Sequence, residues 1–228
     1  MQKQFDRGVQ DEVAASIALE GSRSDQGYRL GELDISRGYL ILKRLIDIVG
    51  SLIGLIIGVP ILILACIAVV IESKGNPIFS QKRVGLNNKE FNMYKVRSMT
   101  MDAEKNGAQW ATKNDSRVTR VGTFIRKTRI DEIPQLFNIL KGDMTIVGPR
   151  PEREIFYKEF EKTIPNFRDR LLVKPGLTGY AQVNGGYDLS PKEKLDRDLY
   201  YIQNRNLFID IKLMFSTVKV VFTGEGAR

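Results

Sequence analysis

At 228 residues the chain suits one domain of moderate size, with enough apolar content, 43%, to bury a core. Its formal net charge of +8 asks for an anionic partner, and nucleic acid, an anionic membrane face and a phosphorylated substrate all meet that demand. Histidine is absent and Cys66 is the single cysteine. That excludes Ser-His and Cys-His nucleophile pairs, histidine-ligated metals, zinc clusters and intrachain disulfides, and leaves catalysis to carboxylates, lysine, tyrosine or a hard metal such as Mg²⁺ held by oxygen.

In chain order, residues 1–37 read as a mobile polar tail with a short helix around 13–19. The tail lacks the basic lead and apolar stretch of a signal peptide. Residues 48–71 carry no charge, about 24 positions where about 18 already mark a membrane-helix candidate. Pro60 near the middle and Gly50, Gly54 and Gly58 before it predict a kink. Basic residues flank both sides, Arg37, Lys43 and Arg44 before and Lys74, Lys82 and Arg83 after, so both ends prefer the cytoplasmic side. A re-entrant hairpin that enters, bends near Pro60 and returns meets both facts. Asp47 is expected in an interfacial ion pair with the basic residues before it.

Two short strands are predicted next, at 78–80 and 91–96. Lys95 and Arg97 then lie two apart on one side of the second strand, either as a solvated pair or as phosphate contacts. Residues 100–117 form a polar excursion in which Trp110 either packs locally or anchors at a membrane interface.

The stretch 124–152 is the focus. Apolar residues at Ile130, Ile133, Leu136, Phe137 and Leu140 predict a helix starting near Asp131, with Thr128 as its cap and Pro134 tolerated in the first turn. Asp131 and Glu132 would then sit at a helix N-terminus, where acidic residues often only complement the dipole. Here Arg126, Lys127 and Arg129 precede the pair, and a turn at 141–143 and a strand at 144–147 lead to Gly148-Pro149-Arg150-Pro151. Two prolines around Arg150 restrict the backbone that carries a guanidinium, which suits a cation held for a phosphate.

Residues 152–167 follow with a helical pattern. Residues 174–186 carry four glycines and a proline around Tyr180, a tight loop suited to close approach of a ligand, with Gln182 and Asn184 offering amides to a base or sugar. Ser190-Pro191-Lys192-Glu193 is a capping box opening a helix to about residue 203. Over 207–222, Leu207, Ile211, Met214, Phe215, Val218 and Phe222 share a face while Lys212 and Lys219 share another, a core helix or, for a membrane protein, an interfacial one.

Several of these runs occur together in one order: Lys95-Val96-Arg97-Ser98-Met99, Asp131-Glu132-Ile133-Pro134-Gln135-Leu136, Lys141-Gly142-Asp143-Met144, Gly148-Pro149-Arg150-Pro151, and Lys174-Pro175-Gly176-Leu177-Thr178-Gly179-Tyr180-Ala181-Gln182-Val183-Asn184-Gly185. In this the chain, over about 42–222, resembles the bacterial sugar transferases, the monotopic polyprenyl-phosphate phosphoglycosyl transferases.

The resemblance implies an α+β fold: a mostly helical monotopic membrane protein with a re-entrant membrane helix-hairpin (38–75), interfacial amphipathic helices, a small β element, and a catalytic domain (76–228) on the cytoplasmic face of the inner membrane. It implies that Asp131 attacks the sugar-linked phosphorus of a UDP-sugar, releasing UMP, and that polyprenyl phosphate then takes the phosphosugar. Glu132 is implied as the adjacent catalytic carboxylate, Arg126 and Arg150 as neutralising the diphosphate, and Asp131 as a ligand of Mg²⁺. Lys95, Arg97, Gln182 and Asn184 complete the expected substrate contacts.

The family often has arginine directly after its Val-Asn-Gly, whereas this chain has Gly186, so Arg153 or Lys174 would have to supply that cation. The resemblance implies no nucleic-acid partner and leaves a homodimer open. The competing class, a non-enzymatic membrane-anchored module binding anionic lipid or nucleic acid, accounts for the charge and the anchor. It does not account for two carboxylates among arginines.

Overall fold

A computed structural model describes residues 35–105, 107 and 115–223. Residues 1–34 of the expected tail and Trp110 lie outside the described residues. The first element among the described residues, α1 (Arg37–Glu72), is a single helix of 36 residues that continues through Pro60. The bend and return expected there are not seen. It is long and apolar enough to cross a membrane, by length and composition.

The helix does not project from the rest of the protein, however. Leu40, Lys43, Arg44, Asp47, Ser51, Leu55, Gly58, Ala65 and Val69 recur at helical spacing and are buried, so one stripe is docked from end to end. The opposite face leaves Ile53, Ile56, Ile57, Leu64 and Ile71 more than half exposed. The three glycines expected to permit a kink serve that docking instead. A Cβ on Gly50 would come 2.9 Å from Ile146 Cδ1, one on Gly54 2.9 Å from Leu136 Cδ1, and one on Gly58 3.0 Å from Ile133 Cγ2.

The body contains a two-stranded antiparallel hairpin of β1 (Ile78–Val84) and β2 (Glu90–Val96), with Ile78 opposite Val96; the first strand is longer than predicted. Next come α2 (Arg120–Lys127), a 3₁₀ turn (Ile130–Glu132) and α3 (Gln135–Lys141). The short strand β3 (Thr145–Val147) then pairs in parallel with β4 (Gly176–Thr178). Between those two strands run α4 (Glu154–Phe160), shorter than the predicted helix, and a 3₁₀ stretch (Phe167–Leu172).

The chain continues through α5 (Tyr180–Val183), α6 (Pro191–Asn204) and α7 (Leu207–Thr223). The capping box of α6 is present as expected: Ser190 Oγ accepts from Glu193 N–H, and the Glu193 carboxylate accepts from Ser190 N–H. On α7, Leu213 is buried while Phe208 and Phe215 are about three-quarters exposed, so the helix is amphipathic with an apolar outer side.

The largest core gathers Val147, Tyr157, Phe167, Leu171, Leu195, Leu199, Ile202 and Leu213 beneath the β3–β4 pair. A second core joins Ala65 and Val69 of α1 to Val96 and Ile125.

Charged side chains tie α1 to backbone ends in the body. Arg44 donates to the carbonyls of Ile139 and Leu140 at 2.6 and 2.9 Å, satisfying the last turn of α3. Glu72 accepts from the N–H groups of Arg120 and Val121, both at 2.9 Å, in the first turn of α2. Asp47, expected at an interface, is buried at 3% exposure and takes hydrogen bonds from Thr145 Oγ1 and Ile146 N–H, both at 2.8 Å.

Candidate active site

Asp131 and Glu132 do not open a long helix. Thr128 closes α2 rather than capping a new helix, Arg129 adopts a left-handed conformation (φ 59°), and the pair occupies the 3₁₀ turn before α3 begins at Gln135. The sharp reversal at Arg129 turns both carboxylates inward, where they are 7% and 8% exposed. They lie on the wall of a cavity of about 610 Å³, within the range of ligand sites.

Three predicted cations converge there from separate elements: Lys95 from β2, Arg126 from the last turn of α2, and Arg150 after β3. Glu132 is held tightly. Its Oε1 accepts from Arg150 Nη2 at 2.6 Å and from Lys95 Nζ at 3.1 Å. Asp131 is not: its nearest cation, Lys95, stands at 3.9 Å, beyond hydrogen-bond range.

The electrostatics separate the two carboxylates in the same way. Burial works against the charged form of Glu132, but Arg150 and then Lys95 outweigh it and hold the carboxyl well below the usual range. For Asp131, burial dominates and the neighbouring Glu132 charge adds to it, against Lys95 and the arginines, so its carboxyl is pushed up. One carboxylate is therefore a fixed counter-charge and the other a poorly stabilised anion facing a cavity. Such a division often marks distinct chemical roles.

Other predicted residues fall differently. Arg97 borders the cavity, but its guanidinium closes the end of α1, donating to the carbonyls of Ser73, Lys74 and Gly75. Lys95 and Arg97 thus diverge although they share a strand face. Gln182 lines the cavity; its amide nitrogen donates to the Leu177 carbonyl, and its buried Oε1 has no protein partner. Asn184 is exposed and donates to the Tyr180 carbonyl.

The glycines of the 174–186 loop also have another use. Gly176 and Gly179 lie so close to the backbone of Gly148 that neither has room for a Cβ. Gly186 does border the cavity, with φ 55° and open space where a Cβ would stand. Of the two proposed substitutes for an arginine there, Arg153 lines the cavity and pairs with Glu104 at 2.9 Å, while Lys174 is buried outside its lining.

Arg129, read from sequence among the basic residues before the pair, lines the cavity, as does Arg83, read only as a charge flanking the apolar run; Arg83 also binds Glu152 at 3.1 Å. Arg170, also in the wall, donates to the Arg150 carbonyl at 3.0 Å and pairs with Asp198 at 2.6 Å. Burial pushes the Asp198 carboxyl up to about 6, against the pull of Arg170. The sequence signal for this pair was weak, two charges among apolar neighbours far apart in the chain.

Among the described residues no group of three or more His, Cys, Asp or Glu side chains could hold a metal ion alone. Asp131 still fits Mg²⁺, an ion content with one carboxylate when substrate phosphates supply further oxygens. Glu132 does not, because its oxygen is already shared by two cations.

The family profile described as bacterial sugar transferase matches residues 38–224, most of the chain and all of the cavity. The chain belongs to the bacterial sugar transferase family.

Relatives of this sugar transferase carry related names. It is 43% identical over 203 residues to a UDP-N-acetylgalactosamine-undecaprenyl-phosphate N-acetylgalactosaminephosphotransferase of Aeromonas hydrophila, covering 88% of this chain and 48% of the relative. It is 38% identical over 219 residues to a UDP-glucose:undecaprenyl-phosphate glucose-1-phosphate transferase of Xanthomonas campestris pv. campestris, covering 93% and 45%. An undecaprenyl-phosphate galactose phosphotransferase of Salmonella typhimurium is 41% identical over 206 residues, covering 84% and 42%. The chain spans somewhat less than half the length of these curated relatives.

Proposed function

We propose that this chain transfers a sugar 1-phosphate from a UDP-sugar to polyprenyl phosphate, undecaprenyl phosphate by the names of its relatives, and so starts assembly of a surface glycan. The observation that carries this reading is the asymmetry of the carboxylates: Glu132 is clamped by Arg150 and Lys95, while Asp131 faces the cavity with its nearest cation at 3.9 Å.

A carboxylate oxygen of Asp131 bonds to the sugar-linked phosphorus as the bond from that phosphorus to the bridging oxygen breaks. UMP leaves with the electron pair, and the phosphosugar stays on Asp131 as an acyl phosphate. A phosphate oxygen of the polyprenyl acceptor then bonds to the same phosphorus, and the Asp131 carboxylate is restored. Attack consumes the charge that burial and Glu132 disfavour on Asp131.

Arg126 and Arg150 neutralise the diphosphate, and Glu132 holds Arg150 and Lys95 at the angle this requires. Asp131 together with substrate phosphates would hold Mg²⁺, which supplies further charge neutralisation when bound. Gln182 borders the cavity beside these groups.

The placement we favour is monotopic, on the cytoplasmic face of the inner membrane, with the exposed face of α1 and the outer side of α7 in one leaflet. Both ends of α1 pack on the same body, the first through Lys43 and Arg44 and the last through Ala65 and Val69, which supports keeping them on one side. The sugar stays open, since the relatives' names carry three different ones.

The test is UMP release from a panel of UDP-sugars in nanodiscs containing undecaprenyl phosphate and Mg²⁺, comparing wild type with Asp131→Asn. UMP from one donor, abolished in the variant, is the expected result. Undiminished turnover by pure Asp131→Asn protein overturns the nucleophile assignment. Silence from every donor, in protein still embedded in its lipid, overturns the reaction class.

A further inference from the structure

The strand that leads to Arg150 is only three residues long and has β4 on one side. Its register pairs Thr145 with Gly176 and Val147 with Thr178, which leaves the Ile146 N–H to find an acceptor elsewhere. The acceptor comes from α1. Asp47 takes the Ile146 N–H and, with its other oxygen, the hydroxyl of Thr145.

One turn earlier on the same helix, Lys43 Nζ donates to the Val147 carbonyl at 2.9 Å, to Asp210 of α7 at 2.9 Å and to Tyr201 of α6 at 3.3 Å. All three residues of β3 are thus gripped by two charged side chains of α1, both under one-tenth exposed. Three residues beyond Val147 stands Arg150, with its guanidinium on Glu132.

We propose that Asp47 and Lys43 are positioning residues for the transfer: α1 fixes the place of the Arg150 guanidinium through β3, so the membrane helix is part of the catalytic frame as well as an anchor. This rests on the proposed phosphosugar transfer only for its kinetic readout. Burying two charges in a helix that faces lipid on its other side is costly unless each is bonded, and each is. A simple tether would need neither. The geometry needed at Arg150 is strict, because a displacement of about 1 Å of a group that meets a transition state can cost about 10²-fold in rate.

The experiment uses the full chain in nanodiscs with three variants. Asp47→Leu removes both bonds, Asp47→Asn keeps an acceptor of the same shape, and Thr145→Val removes one bond with little change of shape. Two readouts are taken: amide hydrogen exchange of residues 145–150 without substrate, and kcat and KM for UMP release. Expected for Asp47→Leu are faster exchange in that segment and a kcat lowered by about tenfold or more, with KM for the donor little changed. Asp47→Asn recovers most of the rate, and Thr145→Val gives a smaller loss of the same kind.

The deciding arm repeats Asp47→Leu on an Arg150→Ala background. If Asp47 acts through Arg150, the second change costs little further rate. Equal fold-losses on the two backgrounds would overturn the proposal, as would unchanged exchange at 145–150. Should Asp47→Leu fail to fold, Thr145→Val on the two backgrounds decides by the same criterion. A wild type that releases no UMP overturns the reaction instead, and the exchange data still judge the positioning.

Discussion

Glu132→Gln removes the charge on which the two sides of the cavity meet. Glu132 Oε1 lies 2.6 Å from Arg150 Nη2 and 3.1 Å from Lys95 Nζ. At an effective dielectric of about 20 these are gross attractions of about 6 and about 5 kcal/mol. Desolvation of three charged groups cancels most of that in the intact protein, so the pairs add little net stability. Removing the carboxylate is a different matter, because it leaves two cations facing each other.

Breaking a buried pair from one side costs about 3–5 kcal/mol, and the lower end applies here because the Lys95 and Arg150 side chains keep 20% and 24% of their exposure. At about 2–4 °C per kcal/mol for a protein of this size, a loss of about 3 kcal/mol lowers the melting temperature by about 6–12 °C. Thermal unfolding followed by circular dichroism in nanodiscs measures it.

Acid supplies a second check. The folded-state carboxyl of Glu132 is depressed, so its stabilisation is complete above its unfolded value, near 4.5, and is lost as pH falls through the folded one. The gap between wild type and variant is therefore full at neutral pH and narrows below about 4.5. A Glu132→Gln protein that melts with the wild type at pH 7, or a gap unchanged down to strongly acidic pH, would refute the view that one carboxylate balances both cations.

Asp131→Asn should do the reverse to stability. Its carboxyl is raised by burial and by Glu132, so the charged form is a liability at neutral pH, and the variant should melt higher than wild type while releasing no UMP. A lower melting temperature would contradict that electrostatic picture. Arg97→Ala uncaps the end of α1 and should cost about 1–3 kcal/mol with KM for the donor unchanged. A raised KM at constant melting temperature would return Arg97 to the substrate. Gly54→Val, whose Cβ would meet Leu136 Cδ1 at 2.9 Å, should lift α1 from α3 and cost about 1–3 kcal/mol in thermal unfolding. An unshifted melting temperature there would mean that the helix does not dock as described.

What the sequence made legible was whatever depends on local pattern. The capping box at Ser190, the second strand, and the gathering of Asp131, Glu132, Arg126, Lys95 and Arg150 could all be read from spacing or from resemblance. The start of the helix at Asp131 could not, because the left-handed turn at Arg129 carries no glycine or asparagine to announce it. The hydrogen bonds of Arg97 were not legible because strand periodicity gives a face and not a partner; its partners include carbonyls more than twenty residues earlier. Asp47 was read as interfacial since nothing near it in sequence shows that Thr145 and Ile146 will arrive beneath it. The glycines at 50, 54 and 58 were assigned flexibility when their use is contact, a distinction that requires knowing what lies opposite.

The grip of Lys43 on Asp210 joins residues 167 positions apart. At about 5–20 residues per second, the ribosome delivers the aspartate roughly 10–30 s after the lysine. Through that interval α1 can already be in lipid with the Lys43 ammonium still lacking Asp210, and Asp47 is the acidic group beside it on the same helix. Helices α6 and α7 therefore close the site opened by α1, and a nascent chain that stops before Asp210 keeps its membrane address but leaves the β3 clasp unfinished.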